Sequence, residues 1–401
     1  MPVAVRRSTG YFVLFFCSGL DMAILGPTLP ALAGQTGSTV GAMGMVFLLG
    51  AGGATLGTLL GGWVFDWAPG RIVLGLAQML SASLLFLVPH VHLYALLVGL
   101  FVVKGLTGGL VNTGANTLLL WTHGGKAGPY VNALHFFWGL GSFISPFLLG
   151  LLLAAGGTYS NAYTLLALFD LVMGAIVLLS LSAPAPCRLD PPAGVRAKAG
   201  WNLVPIVVSA MLFLFFYVSA ELTFGGWVYT YAVTLQLADA VRAAYLTSVF
   251  WLAFTVGRLI SIPAAVRVPP ARILPAAFVG CATCLILLVA FPASTAMLWI
   301  AVAGCGFCMA PMWPSGFTLA AQSVGLTARI SGVILIGDSI GGMVLPGLTG
   351  LVMERAGAGA MTQLVLASVG ATFLAFLGIL VFRGRRAESL GAPAPAAPSQ
   401  E

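Results

Sequence analysis

Long runs of apolar residues, separated by short polar stretches, divide the chain into regular units. Each run meets or approaches the ~20 residues that a helix needs to cross a bilayer, so the pattern predicts twelve membrane-spanning helices. The runs are continuous rather than alternating with period two, which excludes a large membrane β-barrel. The predicted segments cover residues 11–33, 40–65, 72–89, 93–121, 130–155, 161–182, 202–233, 240–262, 272–291, 295–321, 328–353 and 360–383.

Composition and charge support this reading. Of the 401 residues, 60% are apolar and only 7% are charged, against about 25% charged residues in soluble proteins.

Thirteen of the 17 Lys and Arg residues lie on the side of the segments that carries the N-terminus, and two lie in loops on the other side. Because cytoplasmic loops are enriched in Lys and Arg, we expect both termini in the cytoplasm. The net charge of +7 therefore reflects topology, and no nucleic-acid partner is expected. Arg outnumbers Lys 14 to 3 and no Asn-x-Ser/Thr sequon occurs, which favours a bacterial plasma membrane.

The longest polar stretch predicts a division into two halves. Residues 183–201 are rich in proline and polar residues, as is typical of a linker. This predicts six-helix bundles over residues 1–182 and 202–383, followed by a disordered cytoplasmic tail over 384–401. The pattern G-x4-P-x3-G occurs at residues 141–150 and again at 341–350, in segments six apart, as a parallel duplication predicts.

Ionisable residues interrupt the apolar segments. Such residues usually face a bundle interior or an aqueous cavity. Asp21 and Lys104 are predicted at similar depth, so we expect them to pair. Protonation of Asp21 would then release Lys104 and link proton binding to a helix rearrangement. Glu221 is a second candidate for cation coupling. An ion pair that fastens helices is the alternative for each of these residues, and it is the favoured role for Arg258, Asp338 and Asp170.

Polar side chains in the fourth and fifth segments are candidates for solute binding. Asn112 and Asn116 share one face of a helix, and buried amides can both donate to and accept from hydroxyl groups. A helix–helix hydrogen bond is the alternative. His135 lies in the first turns of the fifth segment, where either a structural hydrogen bond or a solute contact fits.

Aromatic residues cluster in the seventh and tenth segments. Tyr217 and Trp227 flank Glu221, and the pair Gly225 and Gly226 permits a break in that helix. Trp313 stands between two prolines, and broken helices at mid-depth commonly line substrate sites. We therefore assign Tyr217, Trp227 and Trp313 to solute binding, with an interfacial aromatic belt as the alternative.

The sequence carries no motif for catalysis or for a cofactor. Two Cys-x-x-Cys pairs occur at residues 281–284 and 305–308, but they lie inside apolar helices without charged neighbours, so a metal site is not expected. No hydrolase triad, phosphate loop or haem motif is present. A protein that is not an enzyme and that needs no cofactor is predicted.

The chain resembles the major facilitator superfamily in its twelve segments, central linker and six-plus-six repeat. The family's signature G-x-x-x-D-x-x-G-R between segments two and three is matched over residues 62–71, with one extra residue. The resemblance implies that Asp66 and Arg71 act in gating and that segments 1, 4, 7 and 10 line a central cavity. It also implies a monomer. The stretches at residues 24–30, 112–116, 134–141 and 221–227 resemble the branch of bacterial fucose permeases and sodium-dependent glucose transporter-like proteins.

These patterns predict a secondary active transporter of a small polar solute, such as a sugar, that works by alternating access. H⁺ is the expected coupling ion, with Na⁺ as the alternative. An exporter of amphipathic compounds or a lipid flippase is a second prediction, and a non-transporting membrane receptor or assembly factor is a third.

Overall fold

The protein is an all-helical bundle in a computed structural model that describes residues 3–180, 203–324 and 328–389. Twelve spans are long and apolar enough to cross a membrane, so the chain is a multi-pass membrane protein. Helices are the natural solution for such segments, because every backbone group is bonded inside the segment. The helices are α1 (Val3–Thr36), α2 (Gly44–Trp67), α3 (Gly70–Leu87), α4 (Tyr94–His123), α5 (Gly128–Ala154), α6 (Tyr159–Ser180), α7 (Val204–Thr234), α8 (Ala240–Arg267), α9 (Pro270–Ala290), α10 (Thr295–Met309), α11 (Met312–Val324), α12 (Ala328–Ala356) and α13 (Ala360–Ser389).

The two candidate helix breaks have different outcomes. The tenth span is interrupted between α10 and α11, beside Pro311, as the two prolines predict. By contrast, α7 continues through Gly225 and Gly226, so the break that these glycines permit does not occur. These glycines allow close packing instead. A methyl group on Gly26 of α1 would meet the backbone carbonyl of Gly226, and Gly225 lies against the ring of Trp251.

Helix pairing repeats between the two six-helix bundles. In the first bundle α1 packs against α5, α2 against α4 and α3 against α6. In the second, α7 packs against α12, α8 against α10 and α9 against α13. The duplicated G-x4-P-x3-G pattern takes part in this symmetry. Gly141 lies against the backbone of Phe16 in α1, and Gly341 lies against Phe215 in α7.

The two bundles meet mainly at one end of the molecule. We call the end that carries the start of α1 and the α2–α3 turn the linker end, and the opposite end the far end. The contacts between the bundles join α1 to α7, α2 to α12 and α5 to α8. Thr39 donates a hydrogen bond of 2.9 Å to the Glu354 carboxylate, and Ser248 donates one of 2.8 Å to the Phe143 carbonyl. Both bonds lie in the far half, so the bundles are closed together there.

Two of the predicted segments lie wholly or mostly outside the residues that the structure describes. These are the linker over 183–201 and all but the first six residues of the predicted tail over 384–401. Those six residues belong to α13, which ends at Ser389. The prediction that disorder begins at residue 384 is therefore corrected. The physical reason is that Arg, Ala and Glu in this stretch are good helix formers.

Candidate transport site

A cavity of about 280 Å³ lies between the two bundles. This volume is near the lower end of the roughly 300–1,000 Å³ that small-molecule sites occupy. Seven helices contribute to its wall. The lining residues are Ser18, Asp21, Met22, Ala23, Leu25, Gly26, Val46, Phe47, Gly50, Ala51, Ala54, Gln78, Ser81, Phe101, Lys104, Gly105, Gly108, Val111, Leu222, Gly225, Gly226, Trp251 and Gly342.

One side of the cavity carries an ion pair. The Lys104 ammonium donates to Asp21 Oδ2 over 2.5 Å, which confirms the predicted pairing. Ser81 donates to the same carboxylate oxygen over 3.0 Å, and Lys104 Nζ lies 3.3 Å from the Ser81 hydroxyl. The side chains of Lys104 and Asp21 are only 9% and 11% exposed. The pair is thus largely shielded from solvent, and electrostatic interactions between shielded charges are stronger than in bulk water.

Aromatic rings and glycines form the other walls. Phe47, Phe101 and Trp251 face the cavity from α2, α4 and α8. The glycines between them leave backbone and empty space where side chains would otherwise stand. Aromatic faces beside a few polar groups suit a compact solute that has both hydroxyl groups and an apolar face.

A second charged cluster lies in the C-terminal bundle. Glu221 is buried, with Tyr217 beside its carboxylate and Arg258 and Asp338 as the nearest other charges. Arg258 lies over the Phe254 ring, 4.7 Å from its centroid. Leu222 and Gly225, on the same helix, line the cavity, so Glu221 lies just behind its wall.

The helix pairing assigned to Arg258 and Asp338 takes a different form in the structure, which corrects the expectation of an ion pair. Asp338 accepts a hydrogen bond of 2.7 Å from the Trp313 indole, and Arg258 Nε has no hydrogen-bond partner. Arg258 lies on α8 and Asp338 lies on α12. Both helices pack against α7, which separates the two residues. Asp338 still fastens helices, but it fastens α12 to α11.

The other predicted solute-binding residues do not line the cavity in this conformation. Asn112 is exposed one turn beyond Gly108 towards the linker end, and its amide oxygen accepts from Asn116 over 3.0 Å. His135 packs edge-on against Phe15. Trp227 is fully buried and donates to the Pro346 carbonyl.

Two further residues hold helices together in the same way. The Tyr217 hydroxyl of α7 donates to the Met309 carbonyl of α10 over 2.9 Å, and the half-buried Trp313 of α11 donates to Asp338 of α12. The candidate gating residues Asp66 and Arg71 are both exposed at the linker end, where the α2–α3 turn places them.

Several cavity residues escaped sequence reasoning. Gln78 and Ser81 come from α3, a helix that was not expected to reach the cavity. Their signal was available, since two polar residues three apart share a helical face inside an apolar segment. Trp251 gave a similar signal, because it lies in the middle of an apolar segment, as Trp313 does. Phe47 and Phe101 carried no signal that separates a cavity ring from a core ring.

The four cysteines of the two Cys-x-x-Cys pairs lie on the facing helices α9 and α10. The Cys305 thiol lies 4.0 Å from the carbonyl oxygen of Cys281. Within residues 3–180, 203–324 and 328–389, no group of three or more His, Cys, Asp or Glu side chains is arranged to hold a metal ion.

Twelve spans, a duplicated bundle and a charged central cavity describe a membrane transporter rather than an enzyme. The model of the Major Facilitator Superfamily matches residues 11–346, and the chain belongs to that family. Among relatives, sodium-dependent glucose transporter 1A of Mus musculus is 30% identical over 377 residues, which cover 85% of this chain and 88% of the relative. Major facilitator superfamily domain-containing protein 4A of Danio rerio is 25% identical, with 93% and 87% covered.

Solved structures share the same fold. A bacterial homologue of the human lysosomal transporter Spinster, in an inward-facing and occupied conformation, superposes with a TM-score of 0.73 at 12% identity over 99% of this chain and 100% of that one. The nucleoside transporter NupG superposes with a TM-score of 0.71 at 13% identity, with 95% and 99% covered.

Proposed function

We propose that the protein is a secondary active transporter that moves a sugar or a similar polyhydroxylated solute by alternating access. The observation that carries the proposal is the cavity between the bundles, in which the Asp21–Lys104 ion pair faces the rings of Phe101 and Trp251. Hydroxyl groups can bind the charged side while the apolar face of a sugar ring packs on the aromatic side. The mouse relative is named a sodium-dependent glucose transporter, which supports this solute class.

The contacts between the bundles support alternating access. Among the described helices, the bundles are closed together at the far end by the pairs α1–α7, α2–α12 and α5–α8. The exposed Asn112, Asp66 and Arg71 all lie towards the linker end. Rocking the bundles about the cavity would open the far end and close the linker end. Asp66 and Arg71 would then act as a gate at the linker end.

The charge pattern supports an orientation with the linker end in the cytoplasm, because basic residues are concentrated there. The conformation is then inward-open. We further propose a monomer in the plasma membrane of a bacterium.

Transport is coupled to a monovalent cation that acts on the Asp21–Lys104 pair. Binding of the cation to Asp21 weakens its hold on Lys104 and lets α1 and α4 shift relative to each other. H⁺ fits a single carboxylate that can be neutralised, whereas the names of the relatives favour Na⁺. Glu221 would supply a second coupling group.

The test is uptake of labelled monosaccharides into proteoliposomes that contain the purified protein. Inward gradients of Na⁺ and of H⁺ are applied separately, and empty vesicles are the control. We expect one sugar to accumulate above equilibrium with one of the two gradients, and Asp21→Asn to abolish accumulation. Movement of amphipathic dyes or labelled lipids without sugar uptake would instead support an exporter or flippase. Absence of any flux would favour a receptor.

A further inference from the structure

A second buried carboxylate lies behind the Asp21–Lys104 ion pair. Asp170 of α6 is 0% exposed, and neither of its carboxyl oxygens has a hydrogen-bond partner. Asp21, the Cys17 thiol and Lys104 are the side chains that interact with it. An ionised carboxylate that is buried without partners is very unfavourable, so this group must bind either a proton or another cation.

Unsatisfied polar atoms surround the same point. Asp21 uses Oδ2 for both Lys104 and Ser81, and its Oδ1 has no partner. The Gln78 amide nitrogen, on the neighbouring α3, is also buried without a partner. Three carboxylate oxygens on two facing helices are therefore free to accept a positively charged ligand.

The charge balance points to a single positive charge. Asp21 and Asp170 carry two negative charges when ionised, and among the residues that the structure describes Lys104 is the basic group that acts on the pair. The other titratable group that acts on Asp170 is the Cys17 thiol, which is not basic. One monovalent cation makes the cluster neutral, as a buried cluster requires.

We propose that Asp170, together with the free oxygen of Asp21, forms the binding site of one exchangeable monovalent cation, H⁺ or Na⁺. Ser18, Asp21 and Ser81 line the cavity while Asp170 does not, so the cation enters from the cavity and passes Asp21. As H⁺, it sits on one carboxyl group and is donated to the other. As Na⁺, it is held by the three carboxylate oxygens. The site deepens the proposed function, because it gives the coupling ion a place next to the ion pair.

Cation binding can be measured without any sugar, which separates this proposal from the proposed function. The melting temperature of the purified full-length protein is recorded in detergent against NaCl, with choline chloride replacing it at constant ionic strength. The series is repeated at mildly acidic and mildly alkaline pH. A ligand that binds only the folded state raises the melting temperature.

We expect a saturable rise with Na⁺ if Na⁺ is the ligand, or a rise on acidification without a Na⁺ effect if H⁺ is. Asp170→Asn and Asp21→Asn each leave one carboxylate for one ammonium, so the cation-dependent rise should be lost in both. Two variants are used so that the test stands if one of them does not fold. The matched control is Asp239→Asn, which removes one charge from an exposed helix cap that Asn also provides.

The proposal is overturned if the wild-type protein responds to neither cation, or if Asp170→Asn responds as the wild-type protein does. In the latter case Asp170 is a permanently protonated structural residue. A cation response that is lost in the variants while no sugar is transported would retain the site and reject the sugar assignment. Sugar uptake that keeps its cation dependence in Asp170→Asn would retain the transporter and reject the site.

Discussion

Removal of the cavity ammonium, as in Lys104→Met, tests how strongly the ion pair holds the two helices. Methionine has nearly the length of lysine and fills the same space, so the change removes charge with little loss of packing. It leaves Ser81 as the hydrogen-bond donor to Asp21 Oδ2, on a side chain that is 11% exposed. Breaking one side of a buried ion pair destabilises a protein by about 3–5 kcal/mol, because the remaining charge is left without compensation.

The double variant Asp21→Asn/Lys104→Met removes this uncompensated charge. The Asn side chain still accepts the hydrogen bond from Ser81, so the double variant should be more stable than Lys104→Met. The coupling free energy between the two substitutions should fall within the ~0.5–3 kcal/mol that contacting residues show. The instability of Lys104→Met should also diminish as the pH is lowered. At low pH, a proton can replace the charge of the missing ammonium and remove the uncompensated negative charge.

The assay is reversible unfolding in detergent, followed by circular dichroism, for the wild-type protein, both single variants and the double variant. Lys126→Met is the control, because that lysine is exposed in the turn after α4 and its loss should change stability by less than about 0.5 kcal/mol. Equal stability of Lys104→Met and the wild-type protein would refute the reasoning. So would a double variant that is no more stable than Lys104→Met.

Three further predictions concern the cavity and the contact at the far end. Gly26→Ala places a Cβ 2.6 Å from a backbone oxygen of α7, which cannot move aside, so uptake should fall severely, whereas Gly34→Ala, with open space around it, should transport normally. Trp227→Phe removes the indole that donates to a buried backbone carbonyl of α12. Thermal denaturation should show a loss of about 0.5–1.5 kcal/mol, against little change for Trp63→Phe, which is 73% exposed. Gln78→Leu removes a cavity amide whose nitrogen has no protein partner, so it should raise the KM for sugar uptake without destabilising the protein; an unchanged KM would remove Gln78 from the site.

The sequence was most informative where one residue type has few alternatives in a membrane. A carboxylate and an ammonium at similar depth are stabilised by forming an ion pair, because an unpaired charge is costly inside a membrane. Asp21 and Lys104 form such a pair. Prolines have few uses inside a helix other than a break or a kink, and the tenth span is broken beside Pro311. Glycines are less specific, because they permit both a break and close packing. In α7, Gly226 packs closely against α1 and the helix continues through both glycines without a break.

Hydropathy and charge along the chain were enough to determine twelve spans, their repeat in two bundles and the residues that are too polar to face lipid. They determine these features because lipid acts on each segment separately, through its length and its polarity. Which aromatic residue faces a cavity and which one holds two helices together was decided only by the tertiary structure. Trp227 and Trp251 look alike in the sequence, yet the first is bonded inside the C-terminal bundle while the second lines the cavity. The place of Asp170 was decided in the same way, since its distance from Asp21 depends on how α6 packs on α1 and not on either segment alone.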